Sequence, residues 1–227
     1  MATSSPDEVS APIQVYLTSK GTPPSPDWLQ SFLPTIKLNT PIIALQKTAL
    51  FRILATDLTT SLDKSSLVLL PATATTPAFK EQTIRGPLTV QVLDIEDIGH
   101  SRWSQVESIE AQERGETTKG REVIRVVPDE EADAAINTTQ PASPGPHKLL
   151  LQDAAGTKIY AMELSSINGL NMQMTIGTKI VLRDVLVARG MLLLEGRTVQ
   201  MLGGKVEVWE KKWREERKGR LTQGARG

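Results

Sequence analysis

Asp94, Glu96 and Asp97, with His100 just beyond them, form an acidic cluster whose side chains could do chemistry. Three carboxylates so close together could hold a hard cation through oxygen ligands, but they lack the spacing of an EF-hand loop. A solvated strand end is the simpler account of them. The two histidines, His100 and His147, have no cysteine near them, and the sequence contains none. That excludes a disulfide, a thiolate metal site and a cysteine nucleophile. No phosphate-binding loop and no G-x-S-x-G elbow occurs. The expectation is a protein that is not an enzyme and that needs no metal and no cofactor.

The bulk properties agree with a binding role. The chain has 227 residues, 39% of them hydrophobic, enough for one large domain or two small ones with a real core. Its formal net charge is zero, which removes the strongest argument for a general nucleic-acid binder. No apolar run reaches membrane-spanning length, and the start lacks the basic-then-apolar layout of a signal peptide. A soluble intracellular protein with no membrane partner is expected.

The elements that would position any site follow from the pattern. Residues 1–20 are expected as a flexible tail. Ser25-Pro26-Asp27-Trp28 is a helix start: Ser25 as N-cap, Pro26 at the first helical position, Asp27 against the positive end of the dipole. A second helix is predicted over Pro41–Ala55, with Ile42, Leu45, Ala49, Phe51 and Leu54 available for burial. Residues 21–72 thus form a small helical bundle, and Ala72–Pro77 reads as a linker. Strands follow at Leu88–Ile95, Lys148–Gln152, Lys158–Leu164, Lys179–Ala188, Met191–Leu194 and Thr198–Leu202, with Arg183-Asp184 as a bulge or bend inside the fourth. Ser165–Met174 is irregular or a short helix. The fold class is mainly β with α: a helical bundle, then a barrel over 85–204 with the layout of an OB-fold and a helix between its third and fourth strands, then a C-terminal helix. Residues 205–227 are that charged helix and its tail. Trp209 and Trp213 lie on the helix's apolar face, either packed on the barrel or open to a partner.

An insert of about 99–146 splits the first hairpin. A loop of that length is functional or disordered. From Asp94 to Asp133 there are twelve acidic and five basic residues, a net of −7, so phosphates would repel it. Ser104 and Glu107 have the capping-box spacing, which predicts a short helix near Gln105–Arg114. Glu122–Val127 is strand-like, and Glu130–Pro146 reads as a flexible return. Ile98, Trp103, Val106 and Ile109 are apolar residues on a polar loop. They either fold back on the barrel wall or await a partner. The barrel itself offers one aromatic residue, Tyr160, too few for the stacking platform by which OB-folds hold single strands.

The segment VQVLDIEDIGHSRWSQVESIEAQERGETTKGREVIRVV, with GPHKLLLQDAAGTKIYAMEL, GTKIVLRDVLVARGMLLLEGRTVQMLGGKVE and the earlier PPSPDWLQSFLP, resembles the fungal branch of the RecQ-mediated genome instability protein 1 family. The resemblance covers roughly Gly21 to Glu207. It implies a helical bundle before an OB-fold without the usual nucleic-acid surface. It also implies a nuclear scaffold subunit that binds a type IA topoisomerase, topoisomerase III, and a RecQ-family DNA helicase, and that touches DNA mainly through them. That complex dissolves double Holliday junctions, promotes decatenation and limits crossovers. In the family the insert enters the topoisomerase gate, which here implies Ile98, Trp103, Val106 and Ile109 as contacts. Lys179, after Gly177 at the opening of a strand, is expected as a wet lysine on the barrel rim within reach of the topoisomerase. A second OB domain, found in longer animal members, is not expected. The alternative reading is an OB-fold module that binds single-stranded or junction DNA directly.

Overall fold

A computed structural model describes residues 6–37, 40–114 and 145–225. Six α-helices and eight strands are present among them. The predicted strand over 122–127 and the return over 130–144 lie outside the described residues.

The expected tail is instead a helix, α1 (Pro6–Ser19), with Val9, Ile13 and Leu17 buried. Those three residues recur every four positions and so share one face, a stripe that a polar, proline-containing start conceals. α2 (Pro26–Phe32) begins as predicted, with Ser25 Oγ accepting from the Trp28 amide at 3.2 Å. α3 (Ile42–Leu54) buries Leu45, Ala49, Ile53 and Leu54 against α1. Its Ile42 and Phe51, expected inside, are 39% and 75% exposed. The buried stripe runs i, i+4, i+8, and Phe51 falls off it. α4 (Leu58–Ser61) is one turn, capped by Asp57 Oδ1 accepting from the Thr59 amide. Ala72–Thr75, expected as linker, is a single tight turn that buries Ala74.

The strands β1 (Glu81–Ile84), β2 (Leu88–Asp97), β3 (His147–Asp153), β4 (Lys158–Glu163), β5 (Lys179–Leu182), β6 (Val185–Ala188), β7 (Met191–Leu194) and β8 (Val199–Gly203) form one curled sheet. Its order is β1-β6-β7-β4-β3-β2-β5-β8, with only β4–β7 parallel. The expected barrel is therefore a half-barrel whose edges are β1 and β8. β1 carried no clear pattern in the sequence. Of the two alternatives at Arg183-Asp184 the bend is present, sharp enough to divide the strand: β5 pairs with β2 and β8, whereas β6 pairs with β1 and β7. Asp184 makes the corner in the left-handed region, at φ 48. No helix separates β4 from β5. The irregular segment there buries Ile167, Leu170, Met174 and Ile176, and Glu163 Oε1 holds its start by accepting from the Ile167 amide at 3.0 Å.

Burial explains how the two parts join. β3 alternates buried and half-buried residues, as a strand with one covered face should. The first half of β2 and all of β5 are buried on both faces. The concave face meets the core of Leu88, Val90, Leu151 and Leu192, and the convex face is covered by the bundle. Gln91 makes the joint: its amide donates to Asp57 Oδ1 at 2.8 Å, and its oxygen accepts from the Leu58 amide at 3.1 Å. Thr89 Oγ1 donates to the Gly21 carbonyl at 2.6 Å. The bundle's own core, around Ile13, Leu17, Ile53 and Leu58, takes in Ala154 from the sheet. After β8 the chain passes Gly204 (φ 98), where an added Cβ would lie 2.4 Å from the Leu54 carbonyl oxygen. Only glycine permits both that backbone and that approach. The last helix, α6 (Glu207–Ala225), takes up nearly all of the expected helix and tail and closes the sheet with Trp213, 5% exposed.

Candidate protein-interaction site

The insert leaves the sheet through a braced neck. The Ile98 amide donates to the Pro146 carbonyl at 3.0 Å, extending the β2–β3 ladder by one bond. Gly99 and Gly145 then pass so closely that a Cβ on Gly99 would lie 2.4 Å from the other's Cα. Asp97 Oδ1 accepts from the amides of Gly99 and His100 at 2.8 and 3.2 Å, and its Oδ2 pairs with His100 Nδ1 at 2.8 Å. Gln105 Nε2 donates to the carbonyls of Asp97 and His100. Three carboxylates that could have served a cation are thus committed to protein donors. Glu96 accepts from Arg102 at 2.9 Å, and Asp94 from Trp213 Nε1 at 2.5 Å. Among the described residues no cluster is arranged to hold a metal.

The first insert helix, α5 (Arg102–Glu113), starts earlier than the capping-box pattern implied. Ser101 is the cap, its Oγ accepting from the Ser104 amide at 3.1 Å, and Ser104 lies one turn inside. α5 does not stand free. Arg102 Nη1 donates to the Gly224 carbonyl at 3.0 Å, and Lys218 Nζ reaches Glu113 at 2.6 Å and Glu110 at 3.3 Å. These bonds lay α5 along α6, and the Glu113 and Glu110 carboxylates raise the Lys218 ammonium above the usual lysine range.

The four expected insert contacts therefore separate. Val106 is 3% exposed and belongs to the fold. Ile109 is half-buried against the clasp. Ile98 and Trp103 are open, at 41% and 55% exposure. Trp103 lines a shallow cleft with Ile98, His100 and Arg102 and is the large apolar group that the root of the insert offers to solvent.

Lys179 is not on a wet rim. It is 1% exposed, and its Nζ has no hydrogen-bond partner. Lys179 pairs in register with Gln91, so both side chains share the face that the bundle covers. Desolvation pushes its pKa down to about 8, with the Asp57 charge acting in the opposite direction. Burial followed from the bundle's packing over β2 and β5, which no local pattern around Gly177 announces. His147 is likewise structural: buried, with Nδ1 2.6 Å from Glu163 Oε2.

The sheet shows no stacking platform among its described residues. Tyr160 is 49% exposed, but Lys148 Nζ lies 4.4 Å from the centre of its ring. The basic C-terminal helix spends its cations locally. Arg220 pairs with Asp94, Arg214 with Glu210, and Arg217 lies over the Trp213 ring at 5.3 Å.

Residues 70–217 match the family model described as RMI1, N-terminal OB-fold domain. The chain belongs to that family. Residues 17–61 match a second model, RMI1, N-terminal helical domain, which coincides with most of the bundle. The chain is 29% identical over 157 residues to RecQ-mediated genome instability protein 1 of Schizosaccharomyces pombe, covering 62% of this chain and 67% of that protein. It is 47% identical over 62 residues to the Xenopus laevis protein of the same name, a stretch that is 26% of this chain but 11% of the relative. The RMI1 match takes in both the bundle and the sheet, the two parts joined through Gln91 and Asp57. It carries the whole neck of the insert within the OB-fold segment.

Proposed function

We propose that the chain is a non-catalytic scaffold and regulatory subunit of a nuclear complex of a RecQ-family helicase with topoisomerase III. The names of its relatives support association with RecQ and with genome stability. In this reading the chain helps the complex dissolve double Holliday junctions and decatenate DNA. The observation that carries the regulatory role is the neck. A mobile tether would need no bracing, yet Asp97, Gln105, Arg102 and Lys218 all fix the direction in which the insert departs. A fixed root with exposed Trp103 suits an element that must enter a defined opening in a partner, because ordering it beforehand lowers the entropy cost of docking. The committed carboxylates and the lone sheet aromatic, Tyr160, with Lys148 against its ring, support a role through protein partners over direct catalysis or strand binding.

Co-purification with topoisomerase III, followed by a decatenation assay, tests the proposal. The chain is expected to bind the topoisomerase and to stimulate decatenation. Replacement of residues 115–144 by a short Gly/Ser linker is expected to spare assembly and impair the stimulation. Absence of a stable complex between the purified proteins would remove the scaffold role.

A further inference from the structure

The bundle core has an aromatic edge that opens onto a groove away from the sheet: Phe32 is buried in that core and Trp28 packs against it. Trp28 and Phe32 stack with their ring centres 5.1 Å apart and planes 8° from parallel. Phe51, 75% exposed on α3, faces the same groove of about 290 Å³, which Ser31, Arg52, Ala55 and Thr56 complete. A phenylalanine left in water on a helix whose other face is closely packed forgoes the gain of burying its ring. Arg52 caps the floor, its guanidinium 5.4 Å from the Phe32 ring centre, and exposed Lys47 precedes Phe51 by one turn. Asp57 and Asp63, the bundle's acids after Asp27, cap α4 and the turn that follows it and do not line the groove.

We propose that this groove docks an acidic amphipathic segment of a protein partner, which, resting on the reading above, is the helicase. The aromatic walls ask for apolar anchors such as Leu or Phe at helical spacing. Arg52 in the groove, and Lys47 one turn before Phe51, ask for carboxylates beside those anchors. A second copy of this chain would bring the same cations face to face, which disfavours self-association. A nucleic acid strand finds its phosphate partners here but few free ring faces, since Trp28 and Phe32 cover one another. The groove is lined by bundle residues alone and shares none with the neck at Ile98 and Pro146, so a segment docked in it leaves the insert root to the topoisomerase.

The experiment uses the full chain with the purified helicase and topoisomerase III. Phe51→Glu, an exposed substitution, is expected to keep the thermal midpoint and topoisomerase binding while weakening the helicase at least about tenfold. Lys47→Glu is expected to give a smaller loss that shrinks as salt rises, and Phe51→Leu to restore binding. Helicase affinity unchanged in Phe51→Glu overturns the groove as the docking site. Loss of both partners together also overturns it, because the effect would then lie in the fold. If the wild-type chain binds neither partner, the complex itself is wrong and the groove proposal falls with it.

Discussion

Trp213 donates its indole N–H to Asp94 Oδ1 at 2.5 Å, tying the C-terminal helix to the strand from which the insert departs. Asp94 also accepts from Arg220 Nη1 at 3.2 Å, so one carboxylate fastens α6 at two points about two turns apart. Trp213 is buried against the sheet core, and α6 in turn supports α5 through Lys218. Strand, closing helix and insert root are one mechanical unit.

Removal of the indole should therefore be costly. Trp213→Ala is expected to destabilise the chain by ~3–5 kcal/mol, in the range for large aromatic truncations in a core. Trp213→Phe keeps most of the apolar volume and loses the hydrogen bond, at a cost of ~1 kcal/mol. Urea unfolding with a fixed slope checks both. Equal stabilities for the two variants would show that the bond to Asp94, and not the packing, holds the helix.

The clasp between α5 and α6 predicts a change in dynamics without a change in fold. Lys218→Glu places a like charge beside Glu110 and Glu113 and is expected to raise amide hydrogen exchange across α5 while leaving the global unfolding midpoint nearly unaltered. Adding Glu110→Lys and Glu113→Lys to that variant should restore protection. If exchange in α5 does not respond to either change, Val106 and Arg102 alone position the helix.

Lys179 predicts the sign of a pH effect. Its pKa is lowered to about 8 in the folded chain, so the unfolded chain binds the proton more tightly. The penalty is full below pH 8, falls as pH rises from about 8 toward the unfolded value, and is gone above it. Lys179→Met should thus be more stable than the wild type at pH 7, by on the order of 3 kcal/mol at most, and the difference should shrink as pH rises through that window. A constant difference from pH 7 to 10 would mean that Lys179 keeps its charge inside. Because the side chain lies at the joint between bundle and sheet, Lys179→Ala reports on that joint and not on a rim contact.

The root of the insert should act separately from its remainder. Trp103→Ala removes a 55% exposed side chain and is expected to leave stability within about 0.5 kcal/mol of wild type while lowering stimulated decatenation. A deletion that begins at Arg102 is expected to cost stability as well, since it removes Val106 and the partners of Lys218. A linker in place of 115–144 should not. Stimulation that survives Trp103→Ala would move the docking anchor elsewhere on the insert.

Isolated DNA binding is expected to be weak. With zero net charge on the chain and Tyr160, engaged by Lys148, as the single aromatic of the sheet, there is neither a strong cationic attraction nor a platform of rings. Fluorescence anisotropy with a four-way junction at physiological salt measures this. Nanomolar affinity with a steep salt slope would favour the direct DNA-binding module.

The sequence by itself determined the start of α2 and most of the strands after Gly86, because the Ser25-Pro26 cap and the turns at Ala154-Ala155-Gly156 and Gly190 are local and follow from single-residue chemistry. It also determined the insert's position, from the polar stretch after Asp97, and the family, from runs spread over both parts. It did not reveal α1, where proline and small polar residues mask an apolar stripe of three. Only the tertiary structure decided which apolar and charged groups face water. Val106 and Lys179 are covered, and Phe51 is left open. Those outcomes depend on the bundle lying over β2 and β5 and on α6 lying over α5, contacts between residues as distant as Arg102 and Gly224. Burial is a property of what packs against a side chain, and a one-dimensional pattern records the side chain alone.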